Sequence, residues 1–237
     1  MRLAIFMTNT DESAFAQRHP KDGQKFTDLV HRVRPEWQTV VFRVKDGEFP
    51  QTLDGLDGVM ITGSPASVRG DAAWIGKLLD LVRTAYASGL PIFGACFGHQ
   101  AVALALGGVV GDNPGGWVHG LTHSRMQSRP DWASDLPDVV RLYGSHTEQV
   151  TSLPAGAVTI SQSEDCPVAG FFIGDAIYTT QHHPEMTREF ITALTEELAD
   201  ELGSASYAAA MASLEGTADT DAFAESIARF FEHSQAT

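Results

Sequence analysis

The chain has 237 residues, of which 43% are apolar and 13 are phenylalanine. This is enough for one large α/β domain or a domain with a helical appendage. The formal net charge is −14, from 30 acidic and 16 basic residues. That balance argues against a nucleic-acid or polyanionic membrane surface, because phosphate contacts need clustered lysine and arginine. Two cysteines, Cys96 and Cys166, provide no disulfide framework of the secreted kind.

The first half of the chain alternates apolar β-type runs with helical periodicity. Strands are predicted at 2–8, 39–44, 58–65 and 90–96, and helices at 26–33, 71–87 and 98–108. Asp71 is the predicted N-cap of the second helix. The polar stretch 9–24 is expected to be a long loop that overhangs a site. Such alternation predicts a mostly parallel, flavodoxin-like open sheet with helices on both faces.

The second half changes character. Between 109 and 178 come short β-type runs broken by glycine and proline, which predict a small antiparallel extension. The run 176–185 predicts one more strand that ends at the carboxyl edge of the sheet. Three helical stretches then follow in an Ala- and Glu-rich tail. We expect a single domain over 1–237, with a catalytic core at 1–186 and a helical C-terminal extension at 187–237.

The N-terminus bears on location. Its apolar stretch, Leu3 to Met7, is too short for the core of a signal peptide, and no later segment approaches a membrane span. We therefore expect a cytoplasmic protein with no membrane partner.

The stretch "GACFGHQ", residues 94–100, places Cys96 between Gly94 and Gly98 where a strand must turn into a helix. This is the glycine spacing of a nucleophile elbow, in which bulk at either flank would clash with neighbouring chain. A sulfur at a helix N-terminus is favoured as the thiolate. The Phe97 amide would face the oxyanion that forms when Cys96 attacks a carbonyl. Gln100, one helical turn further on, would lie beside the sulfur.

A thiolate nucleophile needs a base partner, and His183 in "HHPE" is the best candidate. In an extended backbone, His183 and Glu185 point to the same side because side chains alternate along a strand. Glu185 can then accept the second imidazole proton and orient the ring. His182 should point to the opposite face and is the fallback base.

Four motifs together resemble the class I (triad) glutamine amidotransferases, including the glutaminase part of GMP synthetase. They are "ITGSPASV" (61–68), "GACFGHQ" (94–100), "YGSHTEQV" (143–150) and "QHHPE" (181–185). The resemblance implies Cys96 as nucleophile, His183 as general base and acid, and Glu185 as its orienter. It implies an oxyanion hole from the backbone amides of Ser64 and Phe97. It also implies a set of substrate-binding residues: Gly63, Gln100, Ser145, His146, Thr147 and Glu148.

The expected reaction is hydrolysis of the glutamine side-chain amide through a cysteinyl thioester, giving glutamate and ammonia. No phosphate-binding loop or ATP-handling motif is visible, so no cofactor is expected. A separate synthase subunit is the expected acceptor of the ammonia, and the oligomeric state is left open. Many relatives carry two glycines before the proline, where this chain has Gly63 and Ser64.

Two alternatives stay open. The combination of "GSP" with "CFGHQ" also resembles free-standing γ-glutamyl peptidases, which attack the same γ-carbonyl but release a larger group. A non-catalytic regulatory relative is the third possibility, although a site that no longer catalysed a reaction would have no need to keep all three triad members.

The remaining candidates have simpler explanations. Cys166 has no elbow and no partner, so we expect it to be inert. The tryptophans are expected to pack in the core, with Trp117 a candidate for the mouth of a cleft. A metal site is not expected, because no histidine pair has i, i+4 spacing on a predicted helix; the histidines considered are His99, His119, His123, His146 and His182.

Overall fold

The structure is a computed structural model that describes residues 1–236. It contains eleven strands: β1 (Arg2–Phe6), β2 (Gln38–Phe42), β3 (Gly58–Ile61), β4 (Ile92–Ala95), β5 (Val109–Asp112), β6 (Val118–Met126), β7 (Val139–His146), β8 (Glu148–Ser152), β9 (Val158–Gln162), β10 (Gly170–Ile173) and β11 (Ile177–Thr180). It contains seven α-helices: α1 (Ala14–Gln17), α2 (Asp22–His31), α3 (Ala73–Ala87), α4 (Phe97–Ala105), α5 (Arg188–Glu197), α6 (Ala199–Ser213) and α7 (Thr220–Ala236).

Nine strands form one mixed sheet in the order β2-β1-β3-β4-β11-β10-β9-β6-β7. The five strands from β2 to β11 pair in parallel, and the four from β10 to β7 add antiparallel pairs. Strands β5 and β8 form a separate antiparallel pair. The predicted α/β class with an antiparallel extension is therefore confirmed.

Successive side chains on the parallel strands point to opposite faces of the sheet and pack against the helices on those faces. On β1, Leu3 and Ile5 lie in a core that includes residues of α2 and α7. Ala4 and Phe6 lie in the opposite core, with residues of α3 and α4. Helix α7 contributes Phe223, Ile227, Phe230 and Phe231 to the first core, so the apolar side of this acidic tail is buried.

Two predicted details are wrong. Helix α3 begins at Ala73 after an Ala72 N-cap, with no side-chain cap hydrogen bond, so Asp71 does not cap it. The segment 9–24 is not all loop. Ser13 accepts a hydrogen bond from the Ala16 amide and starts the short helix α1, and α2 begins already at Asp22. The nine-residue strand β6 lies in the region 109–178, for which an antiparallel extension is predicted.

The sheet places the ends of β4 and β11 side by side. Ala95 is in register with Thr180, so Cys96 leaves the sheet beside the chain that leads to His183. Active sites of open α/β sheets lie at the carboxyl ends of such strands. Within residues 1–236, no helix is long and apolar enough to cross a membrane.

Candidate active site

Cys96 occupies the tight turn between β4 and α4. Its backbone has φ 52° and ψ −108°, and it is the one non-glycine residue with positive φ in the described part of the chain. A left-handed conformation at a residue with a Cβ is strained, and such strain clusters at functional sites. The Cys96 amide donates to the Thr180 carbonyl at 2.9 Å, which ties the turn to the end of β11.

The flanking glycines are required by close backbone contacts. A Cβ at Gly94 would lie 2.6 Å from the carbonyl oxygen of Gly98. A Cβ at Gly98 would lie 2.3 Å from the carbonyl oxygen of Ile61. Both contacts are with backbone, so the neighbour cannot simply rotate away. The steric argument for a nucleophile elbow therefore holds at both positions.

His183 and Glu185 are in contact, although not for the predicted reason. The imidazole Nδ1 and the Glu185 Oε1 are 2.7 Å apart, and both side chains are buried. Strand β11 ends at Thr180, and residues 184–185 form a turn, so the two side chains meet through a turn and not by alternation along a strand. The His183 amide donates to the Tyr143 carbonyl at 2.8 Å, which anchors the turn to β7.

The charge environment favours a protonated His183. Burial disfavours the imidazolium, but the Glu185 carboxylate and the Cys96 sulfur outweigh it and hold the pKa of His183 well above its usual value. With Nδ1 bonded to Glu185, Nε2 is the nitrogen left to exchange a proton with Cys96. The arrangement can hold a protonated imidazole between the Glu185 carboxylate and the Cys96 sulfur.

These three residues line a cavity of about 760 Å³. The cavity is also lined by seven of the residues predicted to bind substrate or form the oxyanion hole: Gly63, Ser64, Gln100, Ser145, His146, Thr147 and Glu148. The Phe97 side chain points elsewhere and packs on Trp74 with ring centroids 5.5 Å apart. Its predicted role needs only its backbone amide.

The backbone amides of Ser64 and Phe97 are available as donors. Within residues 1–236, neither N–H has a backbone or side-chain acceptor. The Gly98 amide donates to the Thr62 carbonyl at 3.1 Å, which holds the loop after β3 against the start of α4. Two unpaired amides from adjacent backbone segments can stabilise an oxyanion near Cys96.

Gln100 and Glu148 are tied into the wall of the cavity. The Gln100 Nε2 donates to the Glu148 carbonyl at 2.8 Å and to the Gln181 Oε1 at 3.1 Å. The Glu148 carboxylate accepts from the Ser67 hydroxyl at 2.7 Å and from the Arg69 guanidinium at 2.7 Å. These contacts join the loop after β3 to the β7–β8 connection. Sequence reasoning missed Ser67 and Arg69, since roughly eighty residues separate them from Glu148.

Four histidines near the site are held neutral. Burial lowers the pKa of His99 to about 3 and the pKa values of His119 and His146 to about 4. Burial also lowers the pKa of His182 well below its usual value, and its Nδ1 lies 3.3 Å from the Ser124 hydroxyl. His182 therefore does not share the electrostatic setting of His183. His123 lies on an exposed position of β6.

The other sequence candidates fall outside the reacting centre. Cys166 is fully buried, and burial raises its pKa to about 12. Trp117 lines the cavity, whereas Trp132 packs on Tyr178 at 4.3 Å between ring centroids. In the described residues no group of three or more His, Cys, Asp or Glu side chains is arranged to hold a metal ion.

Comparison with known proteins agrees with this fold. The family model "Glutamine amidotransferase class-I" matches residues 24–194. The chain therefore belongs to the class I glutamine amidotransferase family.

Individual relatives differ in length and in the name they carry. Gamma-glutamyl peptidase 3 of Arabidopsis thaliana is 29% identical over 205 residues, covering 83% of this chain and 82% of that protein. A glutamine-hydrolyzing GMP synthase of Porphyromonas gingivalis is 32% identical over 167 residues. The matched region covers 69% of this chain but only 32% of the synthase. The crystal structure of a glutamine amidotransferase from Methylobacillus flagellatus superposes with a TM-score of 0.74 at 26% identity, covering 99% of this chain and 92% of that one.

Proposed function

We propose that this protein hydrolyses a γ-glutamyl amide through a thioester on Cys96, with glutamine as the principal substrate. The observation that supports this most directly is that Cys96, His183 and Glu185 line one cavity, with the His183 Nδ1 2.7 Å from the Glu185 Oε1. In this proposal Cys96 is the nucleophile, His183 the general base and acid, and Glu185 its orienter.

The proposed reaction has two halves. The Cys96 sulfur bonds to the carbonyl carbon of the γ-amide, the amides of Ser64 and Phe97 stabilise the oxyanion, and the nitrogen leaves with a proton from His183. Water, deprotonated by His183, then attacks the thioester and releases glutamate. The proposed glutamyl-binding residues are Gly63, Gln100, Ser145, His146, Thr147 and Glu148, which surround the same cavity.

A second candidate differs only in the leaving group. Relatives of nearly equal length carry the name gamma-glutamyl peptidase. The cavity of about 760 Å³ is the size of sites that hold drug-sized ligands and exceeds what the glutamyl group alone would fill. Release of a larger amine from a γ-glutamyl conjugate is therefore the second reaction to test.

Two further assignments are proposals. The GMP synthases among the relatives support a synthase subunit as the acceptor of ammonia. We also divide the chain into a catalytic core at 1–186 and a C-terminal helical extension at 187–237, with a cytoplasmic location.

The test is release of glutamate from L-glutamine by the purified chain. Cys96→Ala should abolish turnover, and Cys166→Ser is the matched control because its thiol is buried and un-ionised. Full activity in Cys96→Ala would overturn the mechanism. Absence of both turnover and acylation of Cys96 with every γ-glutamyl compound tried would favour the non-catalytic alternative.

A further inference from the structure

Part of the cavity lining is apolar and contains none of the residues proposed to bind the glutamyl group. We call it the apolar compartment, formed by Phe15 and Ala16 of α1, Met186, and three residues of α5 and its C-cap, namely Phe190, Leu194 and Leu198. The glutamyl group carries an ammonium and a carboxylate, which have no polar partners among these side chains. The compartment therefore needs a different occupant.

Aromatic packing fixes its wall. The rings of Phe15 and Phe190 have centroids 5.9 Å apart, and the His19 ring lies 4.5 Å from Phe15. The Lys25 ammonium lies 3.4 Å from the centroid of the Phe190 ring and also pairs with Asp22 at 2.9 Å. A cation held over the ring face keeps Phe190 in place. The compartment is thus formed before any ligand enters.

The compartment adjoins the residues that position His183. His183 must deliver its proton to the departing nitrogen, so the amine half of a substrate leaves along the His183 side of the cavity. Met186 follows Glu185 directly, and α5 begins two residues later. The chain that positions the general acid therefore continues into the wall of the apolar compartment.

Basic residues at the rim do not offer a site for an anionic amine half. In the described part of the chain each is paired with a carboxylate: Lys21 and Lys45 with Glu12, and Arg43 with Glu48. A carboxylate on the leaving group would compete with Glu12 or Glu48 for these cations. An apolar group meets no such cost and gains from leaving water.

We propose that the apolar compartment binds the amine half of N-substituted γ-glutamyl amides, an inference that rests on the proposed function. The amine half that it would bind is aromatic, or aliphatic and bulky. The reaction balances as before. The carbon–nitrogen bond breaks as the carbon–sulfur bond forms, the amine leaves with a proton from His183, and water restores Cys96 and yields glutamate. No other reactant is required.

The test compares kcat/KM for γ-L-glutamylbenzylamide, γ-L-glutamylethylamide and γ-L-glutamylglycine. The benzylamide is expected to exceed the ethylamide by about tenfold or more, because a phenyl group enters an apolar site. Leu194→Asn should lower the benzylamide-to-ethylamide ratio by about tenfold without adding charge near His183. Thr192→Asn is the matched control, since Thr192 is on the same helix but does not line the cavity, and the ratio should be retained.

Leu198→Asn is the second variant, because Leu194 also packs in a core cluster and its loss could destabilise the fold. A ratio near one in the wild type, or a ratio unchanged in both folded variants, would overturn the inference. If the inference fails in either way but the protein still hydrolyses glutamine, the proposed function stands. No turnover of glutamine or of any of the three amides would instead contradict the proposed function itself.

Discussion

Replacement of Gly63 by alanine should damage activity far more than stability. A Cβ at this position would lie 2.7 Å from the Cε1 of His183 and 3.5 Å from the Cβ of Cys96. Ordinary van der Waals contact begins at 3.4 Å, so the imidazole or the loop must give way by at least about 0.7 Å. Misplacement of a catalytic group by about 1 Å can cost about 10²-fold in rate. We expect kcat/KM for the γ-glutamyl amide to fall by about that factor.

The stability change in Gly63→Ala should be modest. Overpacking costs about 1–3 kcal/mol, and replacing glycine by alanine recovers about 0.4–1 kcal/mol by restricting the unfolded chain. The expected fall in Tm is a few degrees. Gly76→Ala is the matched control. Gly76 lies inside α3 with nothing within 4 Å of its Cβ position, so alanine there should stabilise the helix by about 0.5–1 kcal/mol and leave kcat/KM unchanged.

Kinetics on γ-glutamyl amide hydrolysis and thermal unfolding, measured on the same two variants, separate these effects. Wild-type kcat/KM in Gly63→Ala would refute the inference that a side chain at position 63 displaces His183 from Cys96. Loss of activity in both variants, or a large fall in Tm in Gly63→Ala, would show that the damage is to the fold as a whole.

Three further predictions follow from the same contacts. Glu185→Gln removes the carboxylate that raises the pKa of His183, so that pKa should fall, the alkaline limb of the pH–rate profile should move to lower pH, and kcat/KM should fall by at least about 10²-fold. A wild-type profile would contradict the pairing. Arg69→Ala releases the Glu148 carboxylate and should raise KM by about tenfold with a smaller change in kcat. An unchanged KM would show that this contact does not position the β7–β8 connection for substrate binding. Below pH 6.5 the unfolded chain binds protons that the buried native histidines do not bind, so the free energy of unfolding should fall as the pH drops from 6 towards 4. The histidines concerned are His99, His119 and His146, and a histidine whose native pKa is about 4 accounts for a loss of about 2 kcal/mol at pH 5. The raised pKa of His183 makes a constant contribution once the pH is below about 6.5, so equal Tm values at pH 6 and 5 would contradict the prediction.

Local chemistry explains what the sequence could predict. Gly94 and Gly98 flank Cys96 within five residues, so a steric argument about one turn could be made from the letters alone, and the structure shows the backbone contacts that require them. The contact of His183 with Glu185 was likewise predictable from their spacing, although a turn and not strand alternation brings them together.

Contacts between residues far apart in the chain could not be predicted from the sequence in the same way. The apolar compartment joins Phe15 to Phe190, and the Glu148 carboxylate depends on Arg69; neither pair has a spacing that a local pattern could reveal. The wrong N-cap at Asp71 has a different cause. Aspartate is a common cap, but here the helix begins two residues later, where backbone geometry and packing decide.

The central claim is that the Cys96 sulfur is the nucleophile that attacks the γ-carbonyl group of a glutamyl substrate. Intact-mass and peptide-mass analysis after reaction with a diazoketone analogue of glutamine tests this directly. The account predicts one adduct per chain, located on Cys96 and absent in Cys96→Ala, while Cys166 stays unmodified. An unmodified Cys96 in a folded chain that still turns over glutamine, or an adduct on any other residue, would contradict it.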